Sequence, residues 1–319
     1  MRMITEKGYS LRCPLFGGCF ARSLVPVVLL GQQLLGAPLF HEMPRGQARA
    51  LNDGHGRGFI GFINERELMW RPFQISGFPE GIEVKLLSRD RLTGAVSLLA
   101  RYPAGWRHDI RGFHSGDEEI FVLEGTLRIG PRILTRRTYA YIPAGMVHGP
   151  ISSETGCLAL WFFSTTPDFI PEAKAPQESS EAPTAIFKYF EEEPWVSSVE
   201  AGFARAPGIF MKILRMDRQT GAMTWIAGSF SGRPPRQWEA HTTWEEGFCL
   251  EGEFLLAECL PDGMRIGALK SGSYFFRPAG IRHVGPYSGT TSYVIWFFRT
   301  PARLETTYYD ECIAQRRVP

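Results

Sequence analysis

The chain has 319 residues, 44% of them hydrophobic, and a formal net charge of +2 at pH 7. That length holds about two domains of ordinary size, and the apolar content supports packed cores over disorder. The near-neutral balance offers no basic run for nucleic acid: Arg101, Arg107, Arg111, Arg128, Arg132, Arg136 and Arg137 are scattered among acids and apolar strands and read as solvated surface.

The first stretch of note is residues 24–35, LVPVVLLGQQLL. It is too short and too interrupted to span a membrane. Arg12 and Arg22 precede it, as in a signal peptide, but Pro38 follows the only small-residue cleavage site, Gly36-Ala37. Residues 1–57 are therefore read as an N-terminal extension, with a signal peptide or a later start at Met43 as alternatives. A first domain is expected over 58–165. Its apolar runs at 84–99, 119–127 and 159–163 are short and separated by Gly- and Pro-containing turns, the pattern of an all-β sandwich or barrel. Residues 166–184, TPDFIPEAKAPQESSEAPT, are too poor in apolar side chains to fold alone and read as a linker. A second domain is expected over 185–301 and a tail over 302–319. The six cysteines form no C-x-x-C pair and do not repeat between domains. No disulfide framework or zinc ribbon is expected, and the protein is placed in the reducing cytoplasm.

The two domains are copies. Residues 81–99, GIEVKLLSRDRLTGAVSLL, align with 208–226, GIFMKILRMDRQTGAMTWI, with nine of 19 positions identical at an offset of 127. The offset carries His114 onto His241, Glu118 onto Glu245 and Gly125 onto Gly252. After an eight-residue insertion it becomes 135, and Pro143, Gly145 and His148 fall on Pro278, Gly280 and His283. A repeat of this kind sets the architecture of the whole chain.

Each copy therefore holds a His…Glu…His set. In one straight strand His114 and Glu118 would lie about 13 Å apart. Ser115-Gly116-Asp117 is a turn signal that folds the chain back, and Pro143-Ala144-Gly145 turns a second strand so that it presents His148. Two imidazoles and a carboxylate on one face make a metal site suited to non-haem Fe(II), with open positions for substrate and O₂. A lone histidine in a β-sandwich is usually structural, but four of the seven histidines here occupy the motif positions.

These residues resemble the cupin family. Its first motif pairs two histidines one residue apart, then three or four residues, a Glu, six residues and a Gly; its second is Pro-x-Gly-x-x-His. His114, Glu118, Gly125, Pro143, Gly145 and His148 match in one copy, and His241, Glu245, Gly252, Pro278, Gly280 and His283 in the other. The wording EEIFVLEG and PAGMVHGP is nearest the ChrR-like cupins. The resemblance implies a bicupin of two tandem double-stranded β-helix (jelly-roll) barrels. It also implies a divalent metal, Fe(II) favoured, with Mn, Zn or Ni as alternatives. The family's leading histidine is Gly112 in the first copy and Glu239 in the second. The first site then has three candidate ligands, and the second could have four: Glu239, His241, Glu245 and His283.

Alternation predicts the walls of the sites. With Glu118 pointing inward, Ile120 and Val122 follow; the second copy has Gly247 and Cys249 there, which predicts a roomier cavity with a thiol near the metal. A buried cysteine acting as a small hydrophobe is the commoner case. Tyr141 and Phe276, two residues before their prolines, are candidates for the mouth or for core. His108 is a candidate substrate contact. Glu119 and Glu246 should point away from the metal.

The function expected is a mononuclear non-haem Fe(II)-type dioxygenase acting on a small oxygenated substrate of the diketone or hydroxy-ketone class. The competing reading is a ChrR-like metal- or ligand-binding sensor without catalysis. Expected partners are a small-molecule substrate and a second copy in a homodimer, with no nucleic acid and no membrane.

Overall fold

A computed structural model describes residues 56–174, 184–202, 208–230, 237–290 and 292–312. The N-terminal extension up to residue 55, residues 175–183 of the expected linker and the last residues of the tail lie outside the described residues. Strands dominate, and the only helical pieces among the described residues are two 3-10 turns, Glu65–Glu67 and Glu172–Lys174. Among these residues no helix is long and apolar enough to cross a membrane.

Two jelly-roll barrels form, as the alternation and turns require. In the first, a seven-stranded sheet runs in the order Ile186–Tyr189, Thr138–Ile142, Glu118–Gly125, Cys157–Phe163, Val96–Tyr102, Glu83–Arg89, Arg71–Pro72. A four-stranded sheet of Trp106–His108, Ile151–Ser153, Leu127–Ile129 and Arg132–Leu134 forms the other side. In the second barrel the 16-residue strand Glu245–Leu260 runs through both sides. It pairs with Ser273–Arg277 and Tyr293–Thr300 at its start and with Arg282–Gly289 and Gly263–Lys270 toward its end. The eight-residue insertion is spent here, lengthening the hairpin that Leu127–Ile129 and Arg132–Leu134 make in the first copy.

The barrels exchange edge strands. Ile60–Asn64 pairs with Ser273–Arg277 of the second barrel, while Ile186–Tyr189 pairs with Thr138–Ile142 of the first. Each covers an edge that would otherwise expose unpaired amides and carbonyls.

Because the barrels pack together, their main strands are buried on both faces. Along Cys157–Phe163, Ala159, Trp161 and Phe163 enter the first barrel's interior with Ile120 and Val122. Leu160 and Phe162 instead join a core between the barrels with Phe121, Phe248 and Phe297. Phe162 and Phe297 are repeat equivalents and stack on each other, with centroids 5.4 Å apart and planes within 9°. This is the self-complementary contact of a two-fold interface, made here within one chain.

Glu119 and Glu246 occupy that interface, buried and away from the barrel interiors as the alternation predicts. Glu119 Oε2 accepts from Tyr139 and Thr224, both at 2.6 Å. Glu246 Oε2 accepts from the equivalent Tyr274 and Ser97, at 2.7 and 2.6 Å. Each carboxylate thus binds one hydroxyl from each domain. Arg299 breaks the symmetry, donating to Glu119 Oε1 at 2.7 Å and Glu246 Oε1 at 2.5 Å. Burial pushes the Glu119 carboxyl up, but Arg299 and Arg215 outweigh it and hold the group below its ordinary range.

One cysteine expectation is corrected. Cys259 and Cys312 are disulfide-bonded across 53 residues. No spacing motif marks the pair; the tertiary fold brings their Cα atoms to 5.7 Å.

Candidate metal centres

The first centre forms where the two motif turns meet. His114 directly follows the short strand Gly112–Phe113, and the bend at Ser115-Gly116 swings Glu118 back beneath it. The second turn is tied to the first: the Gly145 amide donates to the His114 carbonyl at 2.9 Å, and the Ala144 amide to Asp117 Oδ1 at 2.9 Å. Gly145 has φ of 76°, a left-handed conformation that glycine adopts without penalty. The second copy repeats the device, with Gly280 at φ 79° and its amide 2.9 Å from the His241 carbonyl.

In the first barrel this brings His114, Glu118 and His148 together, with their ligand atoms within 4.8 Å of one another. Glu118 Oε2 lies 3.7 Å from His114 Nε2 and 3.4 Å from His148 Nε2. All three atoms are buried and lack a hydrogen-bond partner. An unpaired buried polar atom costs about 1–3 kcal/mol, so three converging on one point fit a cation that would satisfy them together. The remaining atoms of these side chains are occupied. His114 Nδ1 bonds the Asp168 carbonyl, His148 Nδ1 lies 3.0 Å from the Met146 carbonyl, and Trp161 Nε1 donates to Glu118 Oε1 at 2.6 Å. Such outer contacts place the proton on Nδ1 and leave Nε2 free for a metal. Burial pushes the His114 imidazole pKa down, with Glu118 partly offsetting it.

The family's leading histidine has no room here. A Cβ on Gly112 would lie 2.4 Å from the Ile170 carbonyl and 2.5 Å from the Phe169 ring. His108 does not replace it. Its buried ring packs 4.5 Å from Phe169 and 4.6 Å from Phe78, two rings that also neighbour His114. Its nitrogens lack well-formed hydrogen bonds, and burial, partly offset by the Gly77 backbone, lowers its pKa.

The second centre differs from its repeat. The structure brings together Glu239, His241 and His283, and leaves Glu245 out of the group. His283 Nε2 lies 3.4 Å from Glu239 Oε1. His241 Nδ1 lies 3.1 Å from Thr306 Oγ1 and His283 Nδ1 3.0 Å from the Ile281 carbonyl, again leaving both Nε2 atoms for a ligand. Glu245 is held by Arg277, Nη1 to Oε2 at 2.6 Å, and Arg277 Nη2 also donates to the buried Glu258 at 2.9 Å. Burial pushes the Glu245 carboxyl up to about 7 despite Arg277, and raises Glu239 as well. The same burial drives His241 down to about 3 and His283 well below its ordinary value.

The other expected site residues divide. Ile120 and Val122 line the first barrel's interior beside Trp161. Tyr141 lies between the barrels beneath Arg215, 3.9 Å from its ring centroid, and Phe276 is fully buried there beside Trp244. Neither stands with the ligand groups. Cys249 is buried in the second core, its thiol 3.5 Å from the Glu251 carbonyl and pushed up to about 12 by burial. The second cavity is not roomier at Gly247, because the Phe275 and Phe298 rings would lie 2.6 and 3.0 Å from a Cβ there. Sequence reasoning missed Arg277, Glu258, Trp161 as a donor, and Thr306. Only Arg277 left a trace, as a charge where the first copy has Ile142.

Residues 62–166 match the ChrR cupin-like domain family. No curated protein matches the chain. Among solved structures, a Nostoc punctiforme protein described as a "putative dioxygenase" superposes with a TM-score of 0.60 at 21% identity, over 78% of this chain and 86% of that one. Oxalate decarboxylase from Bacillus subtilis gives 0.52 at 12%, over 77% and 78%. That from Lactobacillus farciminis gives 0.53 at 11%, over 77% and 87%. The Bacillus subtilis enzyme has Mn(II) centres. At these identities the likeness establishes fold. The chain thus has the fold of a bicupin, two cupin barrels in tandem, with a ChrR cupin-like match across the first copy.

Proposed function

We infer that the protein is a metal-dependent enzyme, a mononuclear non-haem Fe(II)-type dioxygenase acting on a small diketone- or hydroxy-ketone-like substrate at the first centre. The observation that carries this reading is the convergence of His114 Nε2, Glu118 Oε2 and His148 Nε2, buried and without other partners. Three protein ligands leave positions open for two substrate oxygens or for O₂. A metal bound there supplies Lewis-acid polarisation and redox chemistry.

The chain's own work is holding and shielding. The Asp168 and Met146 carbonyls set the two imidazoles, and Trp161 sets the carboxylate, so the ligand geometry is prepared before binding. Phe163 and Phe169 pack 5.1 and 5.6 Å from His114 and keep water from that side of the centre.

The test is iron content of anaerobically purified protein, followed by O₂ uptake with pentane-2,4-dione and with an acyloin. Near-stoichiometric iron and uptake that His148→Ala abolishes are expected. Failure to take up metal after reconstitution would overturn the reading. The ChrR cupin-like match favours one alternative, a ligand-binding sensor; zinc in both centres with no O₂ uptake would support it. A homodimer is supported by the edge strand Gly263–Lys270, where Met264 and Ile266 are exposed, and light scattering tests it.

A further inference from the structure

After its last barrel strand the chain returns across the second centre. Thr306–Tyr309 pairs antiparallel with Trp238–His241, setting Thr306 opposite His241 and Tyr308 opposite Glu239. The Thr242 amide donates to the Glu305 carbonyl at 3.1 Å, and Thr306 Oγ1 lies 3.1 Å from His241 Nδ1. Gln237 Nε2 donates to Asp310 Oδ1 at 3.0 Å, and Arg282 Nη1 to the Glu311 carbonyl at 3.0 Å. Immediately after these contacts, Cys312 is bonded to Cys259. Cys259 lies opposite Arg282, one residue from His283, in the wall of the same centre.

Residues 305–312 are therefore a strap that carries an orienting group for one candidate ligand and is fastened at its far end by one covalent bond. The first barrel has only a shorter version. There Ile170–Pro171 pairs with Gly112–Phe113, the Asp168 carbonyl orients His114, and no cysteine closes the segment. Cys259 belongs to the hairpin that the insertion lengthens, so the fastening is specific to the second copy.

We propose that the Cys259–Cys312 bond is a redox switch on the metal affinity of the second centre. It rests on the reading that Glu239, His241 and His283 hold a divalent cation. Closed, the cross-link limits the open conformations of the strap and keeps Thr306 on His241. A small dithiol reductant opens it. One reductant thiolate attacks a sulfur of the pair, forming a mixed disulfide. The second thiolate displaces the protein sulfur, leaving Cys259 and Cys312 as thiols and the reductant as a cyclic disulfide. Two electrons and two protons pass to the protein. Cys312 is half-buried, within reach of such a reagent. Without the bond the strap is held by its hydrogen bonds alone and opens more readily, so that His241 loses its outer partner, a loss that typically weakens metal binding ~10–100-fold.

The test uses full-length His114→Ala protein, so that only the second centre reports. Mn(II) is titrated by electron paramagnetic resonance into the oxidised form, into the form reduced with dithiothreitol and freed of it under argon, and into a Cys312→Ser variant. Hydrogen exchange over residues 305–312 is followed in the same samples. The expected result is Mn(II) affinity ~10-fold or more weaker in the reduced and Cys312→Ser forms, with faster exchange across the strap. Thr306→Val should reproduce the affinity loss and leave little for reduction to add. Equal affinities in the oxidised and reduced forms would overturn the switch, as would alkylation of Cys259 and Cys312 in the protein before reduction. Absence of Mn(II) uptake by the oxidised form would overturn the metal reading itself, and the affinity switch with it.

Discussion

Arg277 and Glu245 face each other across neighbouring strands and form a buried ion pair at 2.6 Å, whereas their repeat equivalents, Ile142 and Glu118, form none. Two carboxylates that the duplication makes equivalent thereby acquire different chemistry. Glu118 keeps one oxygen free for the first centre, and Glu245 spends its charge on the guanidinium. Glu239 supplies the carboxylate of the second centre instead.

It follows that Glu239→Gln should lose the metal of the second centre, while Glu245→Gln should retain it near stoichiometry. Elemental mass spectrometry of both variants in a His114→Ala background checks this. The reverse order would show that Glu245 leaves Arg277 to ligate.

Trp161→Phe keeps most of the buried ring but removes the donor to Glu118 Oε1. Loss of such an outer-shell contact should weaken metal binding at the first centre ~10–100-fold while the second is unaffected. Competitive titration with a chelator measures it; unchanged affinity would mean Trp161 serves packing alone.

Arg299 is the cation shared by Glu119 and Glu246 between the barrels. Arg299→Met removes the cation they share, leaving only Arg57 3.5 Å from Glu246 and the more remote Arg215 for Glu119, and should cost about 3–5 kcal/mol in urea unfolding. Adding Glu119→Gln and Glu246→Gln to that variant should restore part of the loss. A cost within experimental error for Arg299→Met would refute the assigned role.

The same network predicts an acid limb. Glu119 has its folded pKa held below the ordinary 4.5. Its contribution is fully present above about 4.5, because the folded carboxylate stays charged where the unfolded one takes up a proton. It is lost as pH falls through the folded value. Glu119→Gln should therefore be less stable than the native chain at neutral pH, with the gap closing below pH 4.5. Thermal melts across pH 3–7 would show it, and a gap that stays constant would contradict the linkage.

Much of this protein is legible in its sequence because the controlling chemistry is local. Apolar alternation set strands with inward and outward faces, and it correctly sent Glu119 and Glu246 away from the candidate ligand groups. Pro143-Ala144-Gly145 and Pro278-Ala279-Gly280 require a left-handed glycine at a turn, and that turn aims the following histidine. The repeat then doubled every such inference.

What only the tertiary structure decided are matters of neighbours. Phe169 takes the space that a side chain at Gly112 would need. Phe275 and Phe298 fill the gap that Gly247 suggested. The exchange of Ile60–Asn64 and Ile186–Tyr189 between barrels depends on which edges lie open once both have closed. Tyr141 and Phe276 lie in the seam because the barrels dock on that face. Cys259 and Cys312 meet because the terminal strand crosses the second centre. In each case the deciding group is far away in sequence. Burial makes its identity matter, since in a packed interior every charge needs a partner and every volume is already taken.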